Sequence, residues 1–163
     1  MTALLPLAPR ARLLFHLRAL ASLGFLWLPL VLALSGVVTV IWSPLVAGGL
    51  ASALLFALFV LALWWPSLQF SRWGYALEED RLVVSRGVLT LRITAIPVGR
   101  VQHVDLHQGP LEQWLRLAQV QVYTASGLGA DGVIPGLDLA VAERLRDELV
   151  ARAHLQEGGD DGV

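Results

Sequence analysis

The chain has no cysteine and no lysine, and across its first half it has almost no charge. Without cysteine, disulfides and thiolate metal sites are excluded, and cysteine usage carries no information on redox compartment. Without lysine, all 12 basic residues are arginine. That fits guanidinium recognition of phosphate or the codon composition of the source genome. The second is simpler, because a binding site needs a few arginines and does not forbid lysine elsewhere. Charged residues make up 15% of the chain and hydrophobic ones 56%, against a charged share of ~25% in ordinary soluble proteins. The longest absence decides the class. From Ala19 to Ser71 there is no Asp, Glu, Lys, Arg or His, a gap of 53 residues flanked by Arg18 and Arg72.

A run of ~20 apolar residues suffices to cross a bilayer as a helix, so this gap holds two crossings and not three. It divides at Ser43-Pro44 into Ala19–Trp42 and Leu45–Pro66, of 24 and 22 residues, or helices of ~33–36 Å at 1.5 Å per residue. Pro44 suits the turn between them, Pro29 is expected to kink the first helix, and Trp42, Trp64, Trp65 and Trp73 suit headgroup depth. Gly48, Gly49, Ser52 and Ala53 are expected to pack the second helix against the first, with dimerisation as the alternative. No ionisable residue lies within either span, which leaves a proton relay or ion pathway without a candidate. Arg10, Arg12 and Arg18 precede the hairpin and Arg72, Arg81 and Arg86 follow it. By the positive-inside rule both termini are cytoplasmic in the plasma (inner) membrane. A cleaved signal peptide has an apolar region of about 7–15 residues, too short to match.

After Arg72 the apolar pattern changes to period two. Trp73, Tyr75 and Leu77 alternate with smaller residues, and Glu78-Glu79-Asp80 marks a turn. Leu82 to Arg86 is a second strand. Leu89, Leu91, Ile93 and Ala95 form the clearest half-buried strand, their side chains expected inward. Val101 to His107 and Gln119 to Thr124 are two more. Pro110 opens a short helix whose apolar side is expected from Leu111, Trp114, Leu115 and Leu117. A longer helix starts after Asp138, an expected N-cap, with a stripe of Leu139, Ala142, Leu145 and Leu149. The expected domains are a basic arm over 1–18, a transmembrane hairpin over 19–66, a strand-rich barrel or sandwich capped by a helix over 67–155, and a disordered tail over 156–163.

The runs Asp80-Arg81-Leu82-Val83-Val84, Ile96-Pro97, Arg100-Val101-Gln102-His103-Val104, Gln108-Gly109-Pro110-Leu111 and Ile134-Pro135-Gly136-Leu137 resemble the YdbS-like family of bacterial membrane proteins with a pleckstrin-homology-like domain. The resemblance covers roughly residues 10–153. It implies two membrane helices followed by a curved antiparallel barrel of about seven strands, with a C-terminal helix plugging one end. It implies no catalytic residues, and it implies protein partners that carry related domains.

Three constellations bear on chemistry. Gly127, Gly129 and Gly132 spell G-x-G-x-x-G, but the dinucleotide fingerprint needs a helix opening at that loop, and Pro135-Gly136 prevents one. His103, Asp105 and His107 share a strand face and are weak candidates for a divalent metal, which would make the protein a metal-dependent membrane enzyme. The solvated face of a half-buried strand is the simpler reading. Arg72, Arg81, Arg86, Arg92 and Arg100 lie within 29 positions of one another and suit anionic lipid headgroups. Residues 72–155 nevertheless hold nine arginines and ten acids, which argues against strong electrostatic binding of a membrane or of nucleic acid. The expectation is a non-enzymatic, membrane-anchored interaction or assembly module whose partners are the membrane and a related protein or a second copy. No cofactor or small-molecule substrate is expected.

Overall fold

Apolar continuity becomes two long helices in the computed structural model, which describes residues 4–125 and 129–160, the last four by backbone alone. The described residues divide into two units, residues 15–68 and residues 4–14 with 69–160. The first helix runs from Ala11 to Ile41 and the second from Pro44 to Arg72, 31 and 29 residues long. Of the most apolar window of each helix only 6% is buried. A core helix of a water-soluble protein buries most of such a stretch, and these expose theirs to what surrounds them, as membrane helices do. The chain is a membrane protein.

The first helix has three parts: α1 (Ala11–Ser22), a π turn (Leu23–Trp27) and α2 (Leu28–Ile41). Pro29 has no N–H to offer the preceding turn. The backbone relaxes by one residue instead, and Leu28 donates to the Leu23 carbonyl, the wider bond of a π turn. The expected kink at Pro29 is therefore a π turn just ahead of it. Helix α3 (Pro44–Arg72) starts after Trp42 leaves helical geometry. Its small residues are placed otherwise than expected. Gly48, Gly49, Ser52 and Ala53 are exposed, while Ala47 and Pro66 are buried and Ala51, Leu55, Leu58 and Ala62 are half-buried. The seam follows those residues because they keep 3.6-residue spacing from Ala47.

The second unit is a pair of three-stranded antiparallel sheets, β1-β2-β3 and β4-β5-β6, with a C-terminal helix against one of them. Among the described residues there are six strands: β1 (Gly74–Leu77), β2 (Arg81–Arg86), β3 (Arg92–Pro97), β4 (Val101–His107), β5 (Leu117–Thr124) and β6 (Gly132–Asp138). This is the expected helix-capped antiparallel fold. Inward residues alternate with outward ones along β5, where Leu117, Val120 and Val122 are fully buried. Ile134 and Leu137 of β6 join them, as do Ala142, Leu145 and Leu149 of helix α5 (Leu139–Asp160). That stripe was legible from its spacing. The helix continues to Asp160, past the expected end of the domain at 155.

Strand β6 tolerates Pro135 because it is an edge strand. The pairing shifts between Ala118 and Val120, opposite Pro135 and Gly136, and Gly136 takes φ +66°, the geometry of a bulge. Gly136 also lies against the arm. A Cβ there would sit 2.5 Å from the Ala11 Cβ, and Ala8 donates to the Gly136 carbonyl at 3.1 Å. Leu5 bridges Tyr75 through two backbone hydrogen bonds, and Leu7, Ala11 and Leu14 are buried. Residues 4–14 thus pack as part of this unit.

Strand β3 corrects the sequence reading. Residues 87–91 are a turn and not a strand. Ile96 pairs with Leu82 and Thr94 with Val84, which puts even-numbered residues on the core face. Leu89, Leu91 and Ile93 are consequently exposed by 88%, 56% and 61%. The period of a strand is two, so placing Ile96 inward turns every odd residue outward.

Candidate interaction surfaces

The outward face of β4-β5 carries His103, Asp105 and His107 beside Tyr123, Gln121 and Gln119, their partners in register. The His103 and Tyr123 rings stack 4.3 Å apart at 12°. The Tyr123 hydroxyl donates to Gln121 Oε1 at 2.8 Å, and His103 Nε2 is 3.8 Å from Asp105 Oδ2 with both side chains more than half exposed. The triplet does share a face, as strand geometry requires. Among the described residues, however, no three His, Asp or Glu side chains converge as a metal site needs. The face is self-satisfied and solvated, and an exposed pair of this kind contributes ~1 kcal/mol or less.

The glycine motif does not open a helix. Gly127 lies outside the described residues, Gly129 is exposed, and Gly132 begins β6. A Cβ at Gly132 would stand 2.5 Å from Ile96 Cδ1. That glycine lets the first sheet's Ile96 reach the second sheet.

Arg81 and the Arg86–Arg92 pair stand at opposite ends of the first sheet. Arg81, at the acidic β1–β2 turn, donates to Glu78 and has Asp80 at 3.8 Å. The hydrogen bond to Glu78, with the charges of Glu78 and Asp80, holds its guanidinium above the usual range. Arg86 stands directly opposite Arg92, at the other end of the same sheet. Arg18 belongs to the helical unit and Arg72 ends α3.

The short helix α4 (Pro110–Leu115) is held by its own loop. Gln108 Nε2 donates to the Leu117 carbonyl at 2.6 Å and accepts through its own carbonyl from Gln113 Nε2 at 3.3 Å. Gly109 has no side chain, and the Glu112 carboxylate occupies the space. Glu112 is thereby buried, and Trp114, expected inward, is 73% exposed. Six residues give too short a helix to show a stripe, which is why the sequence signal failed there. Among the described residues, one hollow of about 260 Å³ lies in the helical unit between Trp27 and Trp65, and another of about 140 Å³ lies in the same unit between Val31 and Ala47. A smaller one, of about 40 Å³, lies between β4 and α5 at His103 and His154.

Two apolar spans, two antiparallel sheets and a C-terminal helix against one of them agree with the family that the chain matches. The model of the family described as bacterial PH domain matches residues 17–153. The chain belongs to that family. It is 30% identical over 116 residues to the transmembrane protein YdbS of Bacillus subtilis, covering 71% of each chain. It is 26% identical over 97 residues to the transmembrane protein YdbT of the same organism, covering 57% of this chain and 20% of YdbT. A crystal structure of a protein with a pleckstrin-homology domain from Shewanella loihica is similar at a TM-score of 0.38 and 11% identity, over 49% of this chain and 72% of that one. Among the described residues of the two sheets and α4, the exposed large apolar side chains are Leu89, Leu91, Ile93 and Trp114.

Proposed function

We propose that the protein is a non-enzymatic assembly module of the bacterial plasma membrane. Its helical hairpin anchors it with both termini in the cytoplasm, and its PH domain binds a protein partner. The observation that carries this reading is Trp114. An indole exposed by 73% on a short helix pinned by Gln108 and Glu112 is a rigid apolar anchor of the kind that dominates protein interfaces. The outward face of β4–β5, in the sheet that α4 interrupts, carries His, Tyr and Gln side chains, the composition of an interface's polar rim. The partner of this chemistry is a second membrane protein with a related domain, or another copy.

A photo-crosslinking residue at Trp114 in the full-length chain, expressed in its native membrane, tests the reading. Irradiation is expected to yield one dominant adduct, identified by mass spectrometry, and the same residue at Glu143 of α5 to yield none. Recovery of uncrosslinked monomer alone from both positions overturns it.

A further inference from the structure

The β2–β3 hairpin combines three features that a hairpin facing only water would not keep. Its tip exposes Leu89 almost completely and Leu91 by more than half. Its last paired residues are two arginines in direct opposition, Arg86 and Arg92, an arrangement that is unfavourable in a sheet unless an anion lies between them. Neither arginine has an ion pair or side-chain hydrogen bond with a described residue. The tip is also held to shape, since Gly87 adopts φ +118° and leaves no room for a Cβ beside the Thr90 carbonyl.

Register places this tip. Gly74 of β1 is opposite Ser85, so the tip lies just beyond the end of the sheet at which the chain enters it. Arg72, the last residue of α3, comes two positions earlier. At the sheet's other end are the acids Glu78, Glu79 and Asp80. The sheet is therefore polarised along its strands, apolar and cationic at the end where the chain arrives from its membrane helix, and acidic at the other.

We infer that the β2–β3 hairpin is a third membrane contact of this chain. Leu89 and Leu91, at the tip, enter the headgroup–acyl boundary, and Arg86 and Arg92, the pair just behind them, hold the phosphates of anionic phospholipids. The occupant is a bilayer surface because it alone presents both complements along one line, anionic phosphate outside and hydrocarbon beneath it. A lipid phosphate between the guanidinium groups also removes their mutual repulsion, by charge-assisted hydrogen bonds to each. The inference is independent of the protein-partner reading, which concerns Trp114 and the other sheet.

The test uses the full-length chain in lipid nanodiscs, and the natural absence of cysteine makes single labelling possible. A Leu89→Cys variant and a Glu79→Cys variant each carry an environment-sensitive fluorophore. In nanodiscs containing phosphatidylglycerol, nitroxides on the lipid acyl chains are expected to quench the probe at 89 and to leave the probe at 79 bright. Adding Arg86→Gln and Arg92→Gln should lower the docked-to-free ratio of the hairpin roughly fivefold for each arginine. Raising the salt on the unaltered arginines should act in the same direction, a readout that needs no folding of the arginine variants. Equal lipid quenching at both positions, or full access of aqueous iodide to the probe at 89, overturns the inference. So does a probe at 89 that stays open in pure-lipid nanodiscs and is shielded only after membrane extract is added, which would assign the tip to a protein.

Discussion

Gly87 is the residue on which the β2–β3 hairpin turns. At φ +118° an L side chain is strained, and a Cβ would meet the Thr90 carbonyl at 1.9 Å. Gly87→Ala is expected to cost about 1–3 kcal/mol and to lower the melting temperature of the PH domain, measured in detergent. An unchanged melt would mean that the hairpin adopts a different turn. Tyr75 gives a pH signature. Burial pushes its phenol above the usual value of 10.0, so the folded state resists ionisation. The associated stability is fully present below pH 10 and is lost as pH rises through the folded pKa. Tyr75→Phe should therefore flatten the alkaline fall in melting temperature and leave the value at pH 7 nearly unchanged. A steeper alkaline fall in the variant would refute this account.

At the scale of elements, the buried positions separate cleanly from the exposed ones. Leu149 of α5 and Leu117 of β5 have no exposed surface, and either change to alanine should cost about 2–5 kcal/mol. Trp114→Ala, on an exposed face, should stay within about 0.5 kcal/mol of the parent while reducing partner crosslinking. Leu7 discriminates more finely. It lies in the arm before α1 and is buried at 3% exposure. Leu7→Ala should destabilise the PH domain by about 2 kcal/mol or more. Denaturation of this variant at the parent's midpoint would mean that the arm is an appendage and not part of the packed unit.

For the whole molecule, the arginines at both edges of the hairpin constrain topology. An arginine at the centre of a span costs ~2.5–3.5 kcal/mol on insertion scales, so neither Arg18 nor Arg72 slides inward freely. In the proposed topology two spans leave both ends on one side, which the positive-inside rule assigns to the cytoplasm. A cysteine at Ser43 is expected to react with an impermeant thiol reagent in intact cells, and one at Glu143 only after permeabilisation. Labelling of the Glu143 position in intact cells would place the PH domain outside and remove the cytoplasmic assembly reading.

The sequence by itself determined the two spans, their break at Ser43-Pro44, most strands and the buried stripe of α5. These follow from one-dimensional properties: unbroken apolar length, charge at the edges, and period two or 3.6 against a single face. Where two patterns compete, local periodicity does not choose between them. Leu89, Leu91, Ile93 and Ala95 make a perfect alternation, yet Ile96 and Val98 lie on the opposite phase, and it is these that are buried. Only pairing with Leu82 and Val84, and the space left by Gly132 for Ile96, selects the register. The same holds for Trp114, displaced by a buried Glu112, and for the arm, whose Leu7 and Leu14 show no period in so short a stretch. Both surfaces proposed for function were decided in this way, because an apolar residue becomes a surface feature only when the rest of the fold has no room for it.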